Sequence, residues 1–219
     1  TFETQIRPLT ETLKFSAPLI LAGLGVGLGF RAALFNIGGR GQMLLAGAAA
    51  GWVGFTYDLP LVVHLPLAIL AGLVAGAVWG GLAGLLKART GAHEVIVTIM
   101  LNYVAYYLVL YALSRQFLLQ APGSANPKSA AINDSATLPK VLGDRFNLHY
   151  GFVLAVVAVA IVWWLINRST LGYRIRAVGL NPHAARAAGI SVGRTYTTVM
   201  MIAGGLVGLA GVNQVLGTA

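Results

Sequence analysis

The side chains with the most chemistry to offer lie at helical spacing. Within residues 93–107, Thr98, Asn102 and Tyr106 recur at i, i+4 and i+8, placing a hydroxyl, an amide and a phenol on one face. Tyr103, Tyr107 and Tyr111 form a second stripe beside it. The surrounding residues are apolar, and polar groups in a membrane face the bundle interior or a wet cavity. Such a lining suits a neutral, hydrogen-bonding solute with a flat face to stack. Interhelical hydrogen bonds and an interfacial aromatic belt need the same residues. The residues alone leave both readings open.

Asn36 and Gln42 add two amides, one at each end of the stretch Asn-Ile-Gly-Gly-Arg-Gly-Gln, and Asn213 and Gln214 add two more in an apolar run. The glycines between Asn36 and Gln42 predict either a tight surface loop or a break inside the membrane. Unwound backbone survives at membrane depth only where protein buries it or where it lines a cavity. Asn36, Gln42, Thr98, Asn102, Tyr103 and Tyr106 are therefore the candidate substrate-pathway residues, with helix-to-helix bonding as the structural alternative.

The residues that are missing narrow the function further. No apolar run has a carboxylate at its middle, and Glu94 stands at a helix start, where the macrodipole favours it. Ion-coupled carriers usually keep ionisable groups at membrane depth, so energy for transport would enter from elsewhere. No G-x-x-x-x-G-K-[ST] loop, H-E-x-x-H, Ser/His/Asp spacing or paired carboxylates occur. Cysteine is absent, and His64, His93, His149 and His183 are dispersed. The reading is a non-enzyme with no cofactor and no metal.

A different chemistry marks residues 168–194, a basic stretch without acids that carries Arg168, Arg174, Arg176, Arg186 and Arg194. Asn181 can cap the first orphan amides of a helix, Pro182 fits its first position, and Gly189 suits a left-handed exit. A short helix with both ends marked, held in water against a membrane, predicts a docking surface for another protein. His183 and Arg186 are its polar contacts, and a solvated face is the alternative.

The elements that position these residues follow from composition. Of 219 residues, 57% are hydrophobic and 10% charged, with mean hydropathy +0.77. A soluble domain carries about 25% charged residues, so an all-α, polytopic membrane bundle is predicted. The net charge of +9 does not indicate nucleic acid, because the basic residues sit mostly at the ends of apolar runs, where orientation and lipid headgroups account for them. Runs at roughly 15–35, 42–57, 62–86, 95–118, 150–167 and 195–217 approach the about 20 residues that a crossing needs. This gives about six membrane helices, one of them broken or re-entrant near 36–42. Arg31, Arg40, Lys87, Arg89 and the five arginines of 168–194 would share one side, which the positive-inside rule makes cytoplasmic. The loop 119–149, rich in Pro, Ser, Ala and Asn, is then external, irregular, and able to meet an outer partner. Gly72, Gly76, Gly80 and Gly84 recur every fourth residue, and Gly23/Gly27, Gly25/Gly29, Gly47/Gly51 and Gly204/Gly208 repeat the device, predicting close helix packing. One transmembrane domain spans 1–219. Neither end carries a start signal or a cap, which predicts a segment of a longer subunit.

Several stretches together resemble a known family. LFNIGGRGQMLLAGAAA (34–50), GAHEVIVTIMLNYVA (91–105), PGSANPKSAAINDSATLP (122–139) and LGYRIRAVGLNPHAARAAGISVGR (171–194) are similar to permease subunits of bacterial ABC importers. The family is that of branched-chain amino acid, ribose and nucleoside permeases, and the likeness is to its nucleoside or simple-sugar branch. AVGLNPHAARAAGI is the most family-specific motif, and Arg40 departs from the acidic residue of many relatives. The resemblance implies a bacterial inner-membrane permease paired with a second permease subunit, a cytoplasmic ATPase subunit and an extracytoplasmic substrate-binding lipoprotein. It also implies a small-molecule solute and a lipid surround. Gly179 to Ile190 would be the segment docked on the ATPase, with Gly179, Asn181, Pro182, His183, Arg186 and Gly189 as its marked positions. A branched-chain amino acid permease and a non-transporting membrane scaffold are the competing readings.

Overall fold

The computed structural model describes residues 2–141, 143 and 148–217. Eight α-helices appear among them: α1 (Phe2–Arg31), α2 (Gly39–Thr56), α3 (Leu61–Thr90), α4 (Glu94–Leu113), α5 (Gly151–Arg168), α6 (Thr170–Leu180), α7 (Pro182–Ala187) and α8 (Val192–Gly217). Five of these are long and apolar enough to cross a membrane: α1 from Arg7, α3, α4, α5 and α8. With 18 residues, α2 is diluted by Gly, Ala, Arg and Gln. The polytopic all-α reading holds.

The bundle is built around α8, whose middle, from Ala203 to Asn213, is buried throughout. Against it run α3 antiparallel, α2 parallel, and α1. The contact is possible because backbone meets backbone. A methyl at Gly76 would lie 2.5 Å from the Gly204 carbonyl, one at Gly80 2.9 Å from the Gly204 Cα, and one at Gly84 2.8 Å from the Thr197 Cα. Gly25 likewise faces the Ala203 carbonyl, and Gly211 faces Met43. Close approach gives van der Waals and weak Cα–H contacts where lipid supplies no hydrophobic drive. The predicted seam is thus real on α3 and α8. Gly23 and Gly27 differ, facing outward with nothing near them.

Several boundaries depart from the sequence reading, α1 beginning at Phe2 rather than 15 and α3 ending at Thr90 rather than 86. The first run ends at Arg31 rather than 35, the fourth at Leu113 rather than 118, and the stretch 168–194 contains the eleven-residue α6 besides α7. At the α5–α6 elbow, the Ser169 side chain accepts from the Gly172 amide at 2.9 Å, and Gly172 lies too close to the carbonyls of Leu165 and Ile166 to tolerate a side chain. Serine capping and the absent Cβ together fold α6 back.

The two ends of the bundle are distinct. Gly179 of α6 abuts the Arg31 carbonyl, and Gly193 abuts Ala88, so the C-termini of α1 and α3 meet α6 and the start of α8 at one end. The described part of loop 119–149 lies at the other, with a 3-10 turn at Asp134–Ala136 and isolated β-bridges between Gln120 and Ser129 and between Lys140 and His149. Buried His64 ties it down, pairing through Nδ1 with Ser135 Oγ at 2.8 Å and through Nε2 with the Val53 carbonyl at 3.0 Å. Leu138 N–H donates to the Leu216 carbonyl, closing the loop over α8.

His149, packed against Gly217 and Gly151, is buried there, and its pKa is lowered from 6.5, first by burial and then by the Lys14 charge. A depressed folded pKa means the native state prefers the neutral ring. Its contribution is complete above about 6.5 and is lost as pH falls from there toward the folded pKa. We expect thermal stability in detergent to drop on acidification below that value, and the drop to be smaller in His149→Gln. For the seam, Gly80→Leu should cost on the order of 3 kcal/mol or more, whereas Gly23→Leu in the isolated subunit should leave the unfolding midpoint unchanged.

Candidate functional site

Between α1 and α2 the chain is unwound from Ala32 to Gly38. Burial alternates along it: Ala32, Leu34, Asn36 and Gly38 point inward, while Ala33, Phe35 and Ile37 are exposed. This is the period of extended backbone. It runs inside the bundle, because Gly39, where α2 begins, packs beside Val207, about 22 Å along α8 from Val192 at 1.5 Å per residue. The stretch near 36–42 is a break within the membrane, not a surface loop.

Such backbone needs partners for its polar groups, and one face of α4 supplies three of them. The Phe35 amide bonds to the Glu94 carboxylate, which also pairs with Lys87 Nζ at 2.7 Å. The Thr98 Cβ lies so near Gly38 that a methyl there would be 3.1 Å away. Asn102 grips both sides of the break, its Oδ1 accepting from the Gly41 amide at 2.8 Å and its Nδ2 donating to the Ile37 carbonyl at 2.9 Å. Tyr106 comes last, with the Arg40 guanidinium over its ring at 5.6 Å. Residues 94, 98, 102 and 106, one helical turn apart, thus track residues 35 to 41 step for step.

Further groups are paired within the segment itself. Asn36 and Gln42 form a reciprocal amide pair, 3.1 Å in each direction, and Asn36 Oδ1 also accepts from the Gly38 amide at 3.0 Å. Both amides are buried, at 4% and 1% exposure. The Gly29 carbonyl accepts from Ala32 and Leu34, and Ala33 turns the chain with a φ of 55°. A non-glycine residue there is a sparsely populated, costly conformation held by its surroundings.

Of the six candidate pathway residues, Asn36, Gln42, Thr98 and Asn102 are brought together and Tyr106 joins through Arg40. Tyr103 is set apart, 61% exposed with Tyr107 and Tyr111 on the outer face of α4. Asn36 and Gln42 have their hydrogen-bonding groups engaged with each other and with the backbone. What the break presents outward is Phe35, Ile37, half-exposed Asn102, Arg40 and Tyr106. Arg40 was assigned to a loop at the basic end; it lies instead beside Tyr106, about 18 Å along α4 from Glu94.

At the basic end, α7 has the capping that its sequence signals. Asn181 Oδ1 accepts from the amides of His183 at 2.9 Å and Ala184 at 3.1 Å, Pro182 occupies the first turn, and Gly189 leaves with φ +80°. Ala185 pins the helix to Val178 and Val192. His183 and Arg186 are exposed, and so is Leu180, at 88%. Sequence reasoning passed over Leu180, whose only signal was a large apolar residue directly before the capping Asn181. Gly179 completes the set by meeting Arg31 and Ala32, where the unwound segment starts.

Comparison with known proteins decides the family. Residues 9–219 match the family described as branched-chain amino acid transport system / permease component. The chain belongs to this family. The guanosine ABC transporter permease protein NupP of Bacillus subtilis is 43% identical over 212 residues, covering 95% of this chain and 60% of the relative. The glucose ABC transporter permease protein TsgB13 of Haloferax volcanii is 39% identical, covering 96% and 57%, and the nucleoside ABC transporter permease protein NupB of Lactococcus lactis 36%, covering 94% and 58%. The chain spans about three-fifths of the length of these curated relatives. No solved structure matches it. With five crossing-length apolar helices, this permease-family member is a multi-pass membrane protein.

Replacing Asn102 with Leu would leave the Gly41 amide and the Ile37 carbonyl unpaired at bilayer depth. We expect Asn102→Leu to lower stability by about 1–3 kcal/mol, and Tyr103→Leu, one residue on, to leave it nearly unchanged, both by thermal unfolding of the purified subunit.

Proposed function

We propose that this chain is the transmembrane permease subunit of an ATP-driven ABC importer for nucleosides or simple sugars, in a bacterial inner membrane. The names of its relatives support the solute class, since they describe guanosine, nucleoside and glucose permeases. A free amino acid would call for a charged pair in the path, and the carboxylate close to the break among the described residues, Glu94, is already held by Lys87. ATP hydrolysis belongs to a separate cytoplasmic subunit. A second permease subunit faces this one, and a substrate-binding lipoprotein delivers the solute at the end where loop 119–149 lies.

The observation that carries this reading is the contact of Gly179, in α6 just before the capped α7, with Arg31 and Ala32 at the head of the chain break. In the proposed mechanism, ATP-driven closure of the ATPase pair presses on α7 through Leu180, His183 and Arg186. A capped six-residue helix pinned by Ala185 moves as a body. Gly179 passes that displacement to Arg31 and Ala32, the first residues of the unwound segment. The glycine seam holds α3 and α8 as a rigid frame, so the compliant part is the break between α1 and α2. Its movement shifts Phe35, Ile37, Arg40, Asn102 and Tyr106 together, changing which side of the path is open. Asn36, Gln42 and Thr98 act as the hinge's internal fastening, and Tyr103 lines the outer approach.

Uptake of labelled nucleoside into vesicles carrying the full transporter tests this. Transport should require ATP and survive collapse of the proton gradient. Arg186→Glu, Leu180→Asp and Gly189→Val, the last forcing a β-branched residue into a left-handed backbone, should each lower uptake about tenfold or more, equivalent to about 1.4 kcal/mol, with membrane insertion intact. Unchanged uptake in all three variants refutes the lever, and uptake driven by a proton gradient without ATP refutes the transporter class.

A further inference from the structure

A second basic feature lies beside the lever and shares the turn that ends α7. Between α6 and the first turns of α8 there is a cleft of about 410 Å³, lined among others by Arg174, Gly189, Ser191, Arg194, Thr195 and Thr198. Arg174 and Arg194 are exposed, and neither has a hydrogen-bond or ion-pair partner among the described residues. The hydroxyls of Ser191 and Thr198 have none either, and that of Thr195 donates to the Ser191 carbonyl while keeping its acceptor sites. The cleft therefore collects two fixed positive charges and several free donors.

Nothing in this part of the chain can neutralise them. From Gly151 to the last residue there is neither Asp nor Glu, and Glu94 is paired with Lys87. Two guanidiniums turned into one cleft repel each other unless an anion lies between them, and planar N–H forks match a phosphate or carboxylate bidentately. The level in the membrane is marked independently. Trp163 and Trp164, near the end of α5, and Tyr173, next to Arg174, are all more than half exposed. Trp and Tyr collect at the headgroup boundary.

We infer that this cleft binds a phosphate-type anion, supplied by the headgroup of an anionic phospholipid at the basic end of the bundle. Arg174 and Arg194 clamp the phosphate oxygens, Ser191 and Thr198 donate to it, and Gly189 keeps the rim open. A lipid held there braces α6 against α8 directly beside the turn that ends α7.

The full permease complex in nanodiscs provides the test, with phosphatidylcholine alone or mixed with phosphatidylglycerol, and bound lipid counted by native mass spectrometry. Wild type should retain phosphatidylglycerol over phosphatidylcholine. Arg174→Gln with Arg194→Gln should weaken that retention about tenfold or more, and the paired Lys variants should restore most of it. All variants should keep the wild-type unfolding midpoint in phosphatidylcholine. Release of the lipid by millimolar inorganic phosphate, with phosphate retained in its place, supports the anion site and assigns it to the soluble ion. Equal retention of both lipids, or full retention in the double Gln variant, overturns the inference. So does a double variant that keeps its lipid but loses the ATPase subunit, since the cleft would then be a protein interface.

Discussion

Everything in this bundle is arranged around one requirement: peptide groups between α1 and α2 run unwound inside a membrane and cannot turn to water. Each unpaired amide or carbonyl there costs several kcal/mol. Glu94, Asn102 and the Asn36–Gln42 pair meet part of that requirement, while Thr98 and Tyr106 pack along the same face. The polarity of α4 is therefore the complement of a specific piece of backbone. A side chain moved off that face would strand a backbone group, so the helix and the break are coupled as one unit.

The rest of the bundle supplies contrast. Along α3 and α8 the glycines bring backbones into contact over many turns, and close-packed interfaces of this kind are bistable at best rather than compliant. The unwound segment has a left-handed Ala33, an elbow at Gly38 and one exposed face. The unwound segment is the part that lacks a helix's own hydrogen-bond ladder. Gly179 touches the chain at that part's first residues, so in the proposed mechanism lever and break would meet by direct contact, with no long pathway through packed side chains.

Charge follows the same division. Arg31, Lys87, Arg89 and the arginines of 168–194 gather at the end where α1, α3, α6 and α8 meet, whereas Arg40 rests on an aromatic face along α4. An arginine at that depth is expensive unless its surroundings or a partner compensate it, and Tyr106 provides only part of that.

Much of this was legible in the chain itself. Composition fixed the membrane class, the fourfold glycine spacing predicted the α3–α8 seam, and Asn181, Pro182 and Gly189 spelled out α7 to the residue, because caps are local chemistry between neighbours in sequence. The i, i+4, i+8 stripe on α4 was visible too, although its partner was not. Whether Thr98 and Asn102 face a solute or the Gly38–Gly41 backbone depends on which segment lies opposite, and the two are about sixty positions apart. Gly23 and Gly27 carry the same signal as Gly76 and Gly80 and pack against nothing, since spacing says which face is smooth and not what meets it. His64, Leu180 and the Arg174–Arg194 cleft were likewise beyond reach, for their meaning comes from elements brought together only in the folded bundle.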